Sequence, residues 1–159
     1  MLKGPAMNVI DIRGFTEDAI VGPGNGATRL FIWCASVQAG QVVGLHRHHG
    51  EELMRVLYGR LRFRVGEQTR DVGPGEVVII QPEIVHGYLA LDDAEIEIYG
   101  EIGSGIFVPR QGDTNGTQFE EIFVRDVPWS RAPQDERRYI TRAEQLERFR
   151  STYATNPFT

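Results

Sequence analysis

The sequence predicts an all-β domain, a sandwich or a barrel, and three observations carry that expectation. Short runs rich in β-branched and aromatic residues recur between residues 9 and 108. Glycine-containing turns separate them at hairpin spacing. Within them apolar and polar side chains alternate with the two-residue period of a half-buried strand. Many short strands at this spacing close into a sandwich or a barrel rather than an open sheet.

In order along the chain, MLKGPAMN (1–8) carries little apolar patterning and is expected to be a flexible leader. NVIDIRGF (8–15) reads as an N-terminal strand, and RLFIWCASV (29–37) as an apolar one. QVVGLHRH (41–48) reads as extended, and LMRVLY (53–58) as the strand that returns from it. RLRFRV (60–65) sets Leu61, Phe63 and Val65 on one face and Arg60, Arg62 and Arg64 on the other, which makes the arginine run a solvated face. EVVII (76–80) and EIEIYGEI (95–102) complete the pattern, with turns at Gly59, Gly66 and the GPG of 73–75. The character changes after residue 108. PRQGDTNGTQ (109–118) is turn-rich, FEEIFV (119–124) reads as one more strand, and RDVPWSRAPQDERR (125–138) is irregular by its prolines and charges. Thr141 and Glu144 form a capping box that opens a short amphipathic helix, with Ala143, Leu146, Phe149 and Tyr153 on its apolar face. That helix is read as a packing element. The organisation is therefore a leader (1–8), a barrel (9–108) and an extension (109–159) that belongs to the same domain.

Bulk properties narrow the function classes. A chain of 159 residues fits one domain. A formal net charge of −5, with basic residues scattered, argues against a nucleic-acid or anionic-membrane partner and leaves small neutral or anionic substrates, the latter through local arginines. The single cysteine, Cys34, excludes an internal disulfide and any multi-cysteine zinc site, and its apolar strand makes it a small hydrophobe. No run is apolar enough for a signal-peptide core or a membrane span, so a cytoplasmic location is expected. GPGNG (22–26) and the GPG of 73–75 lack the strand-to-helix context of a phosphate loop and read as turns.

The chemistry concentrates in HRHHGEE (46–52), which holds three of the four histidines, His46, His48 and His49; the fourth is His86. If 41–48 is extended, His46 and His48 project from one face. If the chain turns at His49 and Gly50 and returns as a strand, Glu52 can face them. Imidazole nitrogen and carboxylate oxygen suit zinc, iron, manganese, nickel or copper. His86 lies beyond another strand and turn, from where it could arrive as a fourth ligand. An exposed hairpin that binds nothing is the competing reading of the same cluster.

The stretch 40–59 resembles the first motif of the cupin superfamily, G-x5-H-x-H-x3,4-E-x6-G, matched in full by Gly40, His46, His48, Glu52 and Gly59. The second motif, G-x5-P-x4-H-x3-N, is matched at Gly75 and His86; Gln81 stands where proline is usual, with Pro82 displaced by one, and Ala90 replaces the asparagine. This resemblance implies a small double-stranded β-barrel with His46, His48, Glu52 and His86 as ligands of one divalent transition metal. Four such ligands leave two adjacent octahedral positions open for a substrate. The relation to the two-histidine, one-carboxylate centres of non-haem iron oxygenases makes iron the favoured metal and a dioxygenase the leading activity. Small cupins also include isomerases, cyclases and lyases that use the metal as a Lewis acid, and modules that bind a small molecule without turnover.

Strand parity extends the site. Met54 and Val56 share the face of Glu52, and Tyr88 that of His86, so all three are expected to line the pocket, with Tyr88 a candidate proton donor. His49 has the wrong parity and Glu51 points away from Glu52, so both are expected to be exposed or to stand behind the ligands. The cupin resemblance also implies a homodimer, often with exchanged N-terminal strands; the competing reading is a monomer in which 119–124 and the helix after Thr141 fold back over the same surface.

Overall fold

A computed structural model describes residues 20–103, 106–110, 118–124 and 139–141, together with 9, 143–145, 147 and 158. The expected leader, the strand at 8–15 and the helix positions Leu146, Phe149 and Tyr153 lie outside the described residues.

Among the described residues twelve strands follow one another as β1 (Ile20–Val21), β2 (Leu30–Val37), β3 (Val42–His46), β4 (Glu52–Tyr58), β5 (Leu61–Val65), β6 (Gln68–Val72), β7 (Val77–Ile80), β8 (His86–Ala90), β9 (Ala94–Glu101), β10 (Ile106–Pro109), β11 (Phe119–Val124) and β12 (Tyr139–Ile140). One antiparallel sheet runs β1-β2-β9-β4-β7 and a second runs β3-β8-β5-β6. The crossovers this order requires are those of a jelly roll, and the fold is a double-stranded β-barrel. A third sheet, β10-β11-β12, belongs mostly to the extension and joins the barrel through a bridge between Arg47 and Phe107.

The alternation in the sequence explains why two sheets close on each other. Phe31, Trp33, Ile96, Ile98, Met54 and Val56 from the first sheet share one core cluster with Leu61, Phe63, Tyr88 and Ala90 from the second. Each comes from the apolar register of its strand, and the intervening residues face outward. Arg62 on the outer face pairs bidentately with Asp71 on β6 and donates to the Phe158 carbonyl, and Phe158 itself is buried, so this part of the extension is held against the second sheet.

Two glycines are required by position. Gly59 ends β4 at φ 75°, and a Cβ there would lie 2.2 Å from the Asp93 carbonyl oxygen. A Cβ on Gly87, the neighbour of His86, would meet the Val43 carbonyl oxygen at 2.6 Å, so β8 approaches the irregular stretch of β3 closely only because no side chain intervenes.

Candidate metal centre

His46, His48 and His86 come together from three elements. His46 closes β3 and stands opposite His86, which opens β8. His48 sits in the loop between β3 and β4, and Glu52 opens β4 on the other sheet. One ligand nitrogen from each imidazole lies within 4.8 Å of the other two. His48 Nε2 is 3.3 Å from one Glu52 carboxylate oxygen, and His86 Nε2 is 3.6 Å from the other.

The backbone sets the direction of all three rings. The Nδ1–H groups of His46, His48 and His86 donate to the carbonyls of Gly44, Gly50 and Ile84, each at 2.8 Å. A donor at Nδ1 leaves the lone pair on Nε2, the tautomer a metal requires. Among the described residues, His48 Nε2, His86 Nε2 and Glu52 Oε1 are buried without a hydrogen-bond partner. Such orphans cost about 1–3 kcal/mol each, which is unusual unless a ligand satisfies them. The donor set and its unsatisfied atoms therefore fit a transition-metal ion, and this histidine cluster could hold one.

Electrostatics agree for His46 and Glu52. Burial, with His86 and His48 beside it, holds the His46 pKa well below the ordinary imidazole value and favours the neutral ring. Burial would also lower His48, but the Glu52 carboxylate beside it outweighs that effect and raises it. For Glu52, burial pushes upward and the imidazoles of His48 and His86 prevail, so the carboxyl lies well below the usual carboxylate range and stays ionised.

Glu83 fixes the ligand loop from outside. Its backbone N–H donates to the His48 carbonyl at 2.9 Å, and its carboxylate accepts from Arg47 Nη1 at 2.6 Å and from His49 Nδ1. It holds a φ of 69°, a conformation that costs a non-glycine residue energy and persists only where the surroundings enforce it. The Arg47 guanidinium lies 4.1 Å from the Phe107 ring centroid.

A cavity of about 240 Å³ opens beside the histidines. The structure places Met54 and Tyr88 in its lining, both buried. It does not place Val56 there: Val56 is 0 % exposed inside the core, one step deeper along β4 than the cavity reaches. His49 and Glu51 are exposed, and both also touch the cavity, at its mouth. Sequence reasoning passes over Trp33, Ile98, Glu101, Ile106 and Gln145. The parity of β2 and β9 could have found Trp33 and Ile98. Gln145 is 2 % exposed although it belongs to the helix read as packing, and the capping box delivers it: Glu144 N–H donates to Thr141 Oγ1 at 3.1 Å, and Gln145 N–H to the Thr141 carbonyl at 3.0 Å.

Among curated proteins none matches this sequence. Solved structures with a general likeness include a cupin superfamily protein from Desulfitobacterium hafniense (16% identity, TM-score 0.48, 63% of this chain and 100% of that one). KdgF from Halomonas sp. is 21% identical at TM-score 0.45 over 46% of this chain and 68% of its own. The DMSP lyase DddQ from Ruegeria pomeroyi is 24% identical at TM-score 0.44 over 48% of this chain and 40% of its own. Likenesses this distant say nothing of activity. The family profile described as Cupin domain matches residues 33–99, the segment that runs from Trp33 through His46, His48, Glu52 and His86 to Tyr99. With the jelly-roll topology and the histidine cluster, that match identifies residues 33–99 as a cupin domain.

Proposed function

We propose that the protein is a metal-dependent enzyme acting on a small organic molecule, with a non-haem iron dioxygenase as the leading activity. One observation carries the reading: three imidazoles, each tied to the backbone through Nδ1, turn toward one point beside a buried carboxylate. His46, His48, Glu52 and His86 would hold one divalent transition ion, iron first, with manganese, nickel, zinc or copper also suited to the donors. When bound, such an ion supplies either dioxygen chemistry or Lewis-acid polarisation of a substrate oxygen.

The chain's own residues do the rest. Met54, Ile98 and Ile106 keep water from the inner cavity, which strengthens every polar contact made there. At about 240 Å³ the space is below the roughly 300–1,000 Å³ usual for drug-sized ligands, so the substrate is small. Tyr88 brings a hydroxyl to this lining and can hold or donate a proton. That hydroxyl and the Gln145 amide, in a largely apolar interior, support a second reading, an isomerase, cyclase or lyase that moves a proton. Binding without turnover would use the same groups.

Metal content of protein purified without added metal, followed by oxygen uptake with catechols, enols and diketones, separates these readings. Iron with uptake supports the dioxygenase. Zinc, nickel or manganese with conversion but no uptake moves the assignment to isomerase or lyase, and metal without any conversion to a binding module. Assembly as a homodimer belongs to the same proposal; the exposed side chains of Leu30, Tyr58, Val77 and Ile79 support it.

A further inference from the structure

We infer that the cavity selects uncharged or cationic ligands and discriminates against anionic ones; this rests on the metal-centre reading and narrows the substrate class of that site. The charge of the lining is one-sided. Glu51, Glu52 and Glu101 face the cavity, and no arginine or lysine does among the described residues. A divalent ion held beside three carboxylates leaves a local balance of 2 − 3 = −1.

The cation nearest the ligands in sequence, Arg47, is engaged elsewhere. It pairs with Glu83 at 2.6 Å and lies over Phe107. Sites that bind carboxylate substrates supply an arginine fork or a lysine to the anion, and this lining offers neither. The acidic groups are also fixed where an entering molecule meets them. Glu51 and Glu101 are exposed and therefore mark the mouth, and a Glu101 carboxylate oxygen accepts the Glu51 backbone N–H at 2.7 Å. That contact holds the charge against the loop that carries His48. A cleft lined by one sign of charge focuses its field on whatever approaches. Inside, Trp33 provides the kind of ring that best attracts a cation, and Tyr88 and Gln145 provide neutral hydrogen-bonding groups.

Three 4-substituted catechols of similar size test this, because they share a chelating head and differ in charge: 3,4-dihydroxybenzylamine, 4-methylcatechol and 3,4-dihydroxybenzoate. Binding is read from the visible spectrum of cobalt-loaded protein after its metal content has been measured. The amine and the methyl compound should bind about tenfold or more tighter than the benzoate, the effect of one opposed charge at close range. Glu101→Gln keeps the hydrogen-bond acceptor and should narrow the gap between amine and benzoate severalfold with metal content unchanged. Benzoate bound as tightly as the amine, a gap that Glu101→Gln together with Glu51→Gln leaves unaltered, or metal retained with none of the three bound would overturn the inference alone. Protein that takes up no cobalt would overturn the metal-centre reading first and this with it.

Discussion

His46 and His86 stand opposite each other across the β3–β8 ladder with ring centroids 4.3 Å apart, each ring pinned through Nδ1 to a backbone carbonyl. Two imidazoles at this distance would repel if both were protonated. Their convergence is economical only for neutral rings that share an acceptor of lone pairs.

Metal removal gives the first prediction. His48→Ala should lose most of the metal affinity, and the wild type should keep about one ion per chain through dialysis, both read by elemental analysis. At free metal about a hundredfold above Kd, binding contributes about 2.7 kcal/mol, so chelation should lower Tm by roughly 5–10 °C. A wild type that never holds metal would refute the assignment.

Tyr88→Phe is expected to leave metal content unchanged and to slow turnover about a hundredfold, the scale of a lost general acid or base. Full turnover in this variant would make Tyr88 a wall of the cavity and nothing more.

Val56 and Met54 should separate stability from binding. Val56→Ala empties a fully buried core position and should cost about 2 kcal/mol in denaturant unfolding without moving ligand affinity. Met54→Ala changes the cavity wall as well, so ligand affinity should shift along with stability.

Cys34 should be a sluggish nucleophile. Burial raises its pKa, and the negative charges of Glu97 and Glu95 raise it further; Glu97 lies directly opposite on β9. A raised pKa means less thiolate at neutral pH, so alkylation should be slow at pH 7 and still accelerate above pH 9. Glu97→Gln should move that rise to lower pH. A rate that levels off near pH 8 would contradict the environment described.

The dimer is expected to show as a mass of two chains in light scattering at low micromolar concentration. Deletion of residues 1–15 should return it to one if the N-terminal strand is exchanged.

Strands that alternate or are rich in aromatic and β-branched residues were legible from sequence: 60–65 and 119–124 match Leu61–Val65 and Phe119–Val124. β6, QTRDV, was not, because four of its five residues are exposed, so no apolar alternation marks it. The proline in IFVP masked β10 in the same way. At the site, spacing nominated the histidines and Glu52, since ligands on paired strands recur at short intervals. Val56 was placed too far out because parity fixes a face but not a depth along the strand. Glu101 reaches the mouth and Gln145 the interior through tertiary packing, to which no local period corresponds.

The ligand set also has a mechanical side. His46 and His86 belong to one sheet, Glu52 to the other, and His48 to the loop between them. An ion bound there would act as a rivet through both layers at the open end of the barrel. The two sheets could then no longer part at that end without first releasing it, so amide exchange at the start of β4 and at the start of β8 should slow together on loading and recover together on chelation.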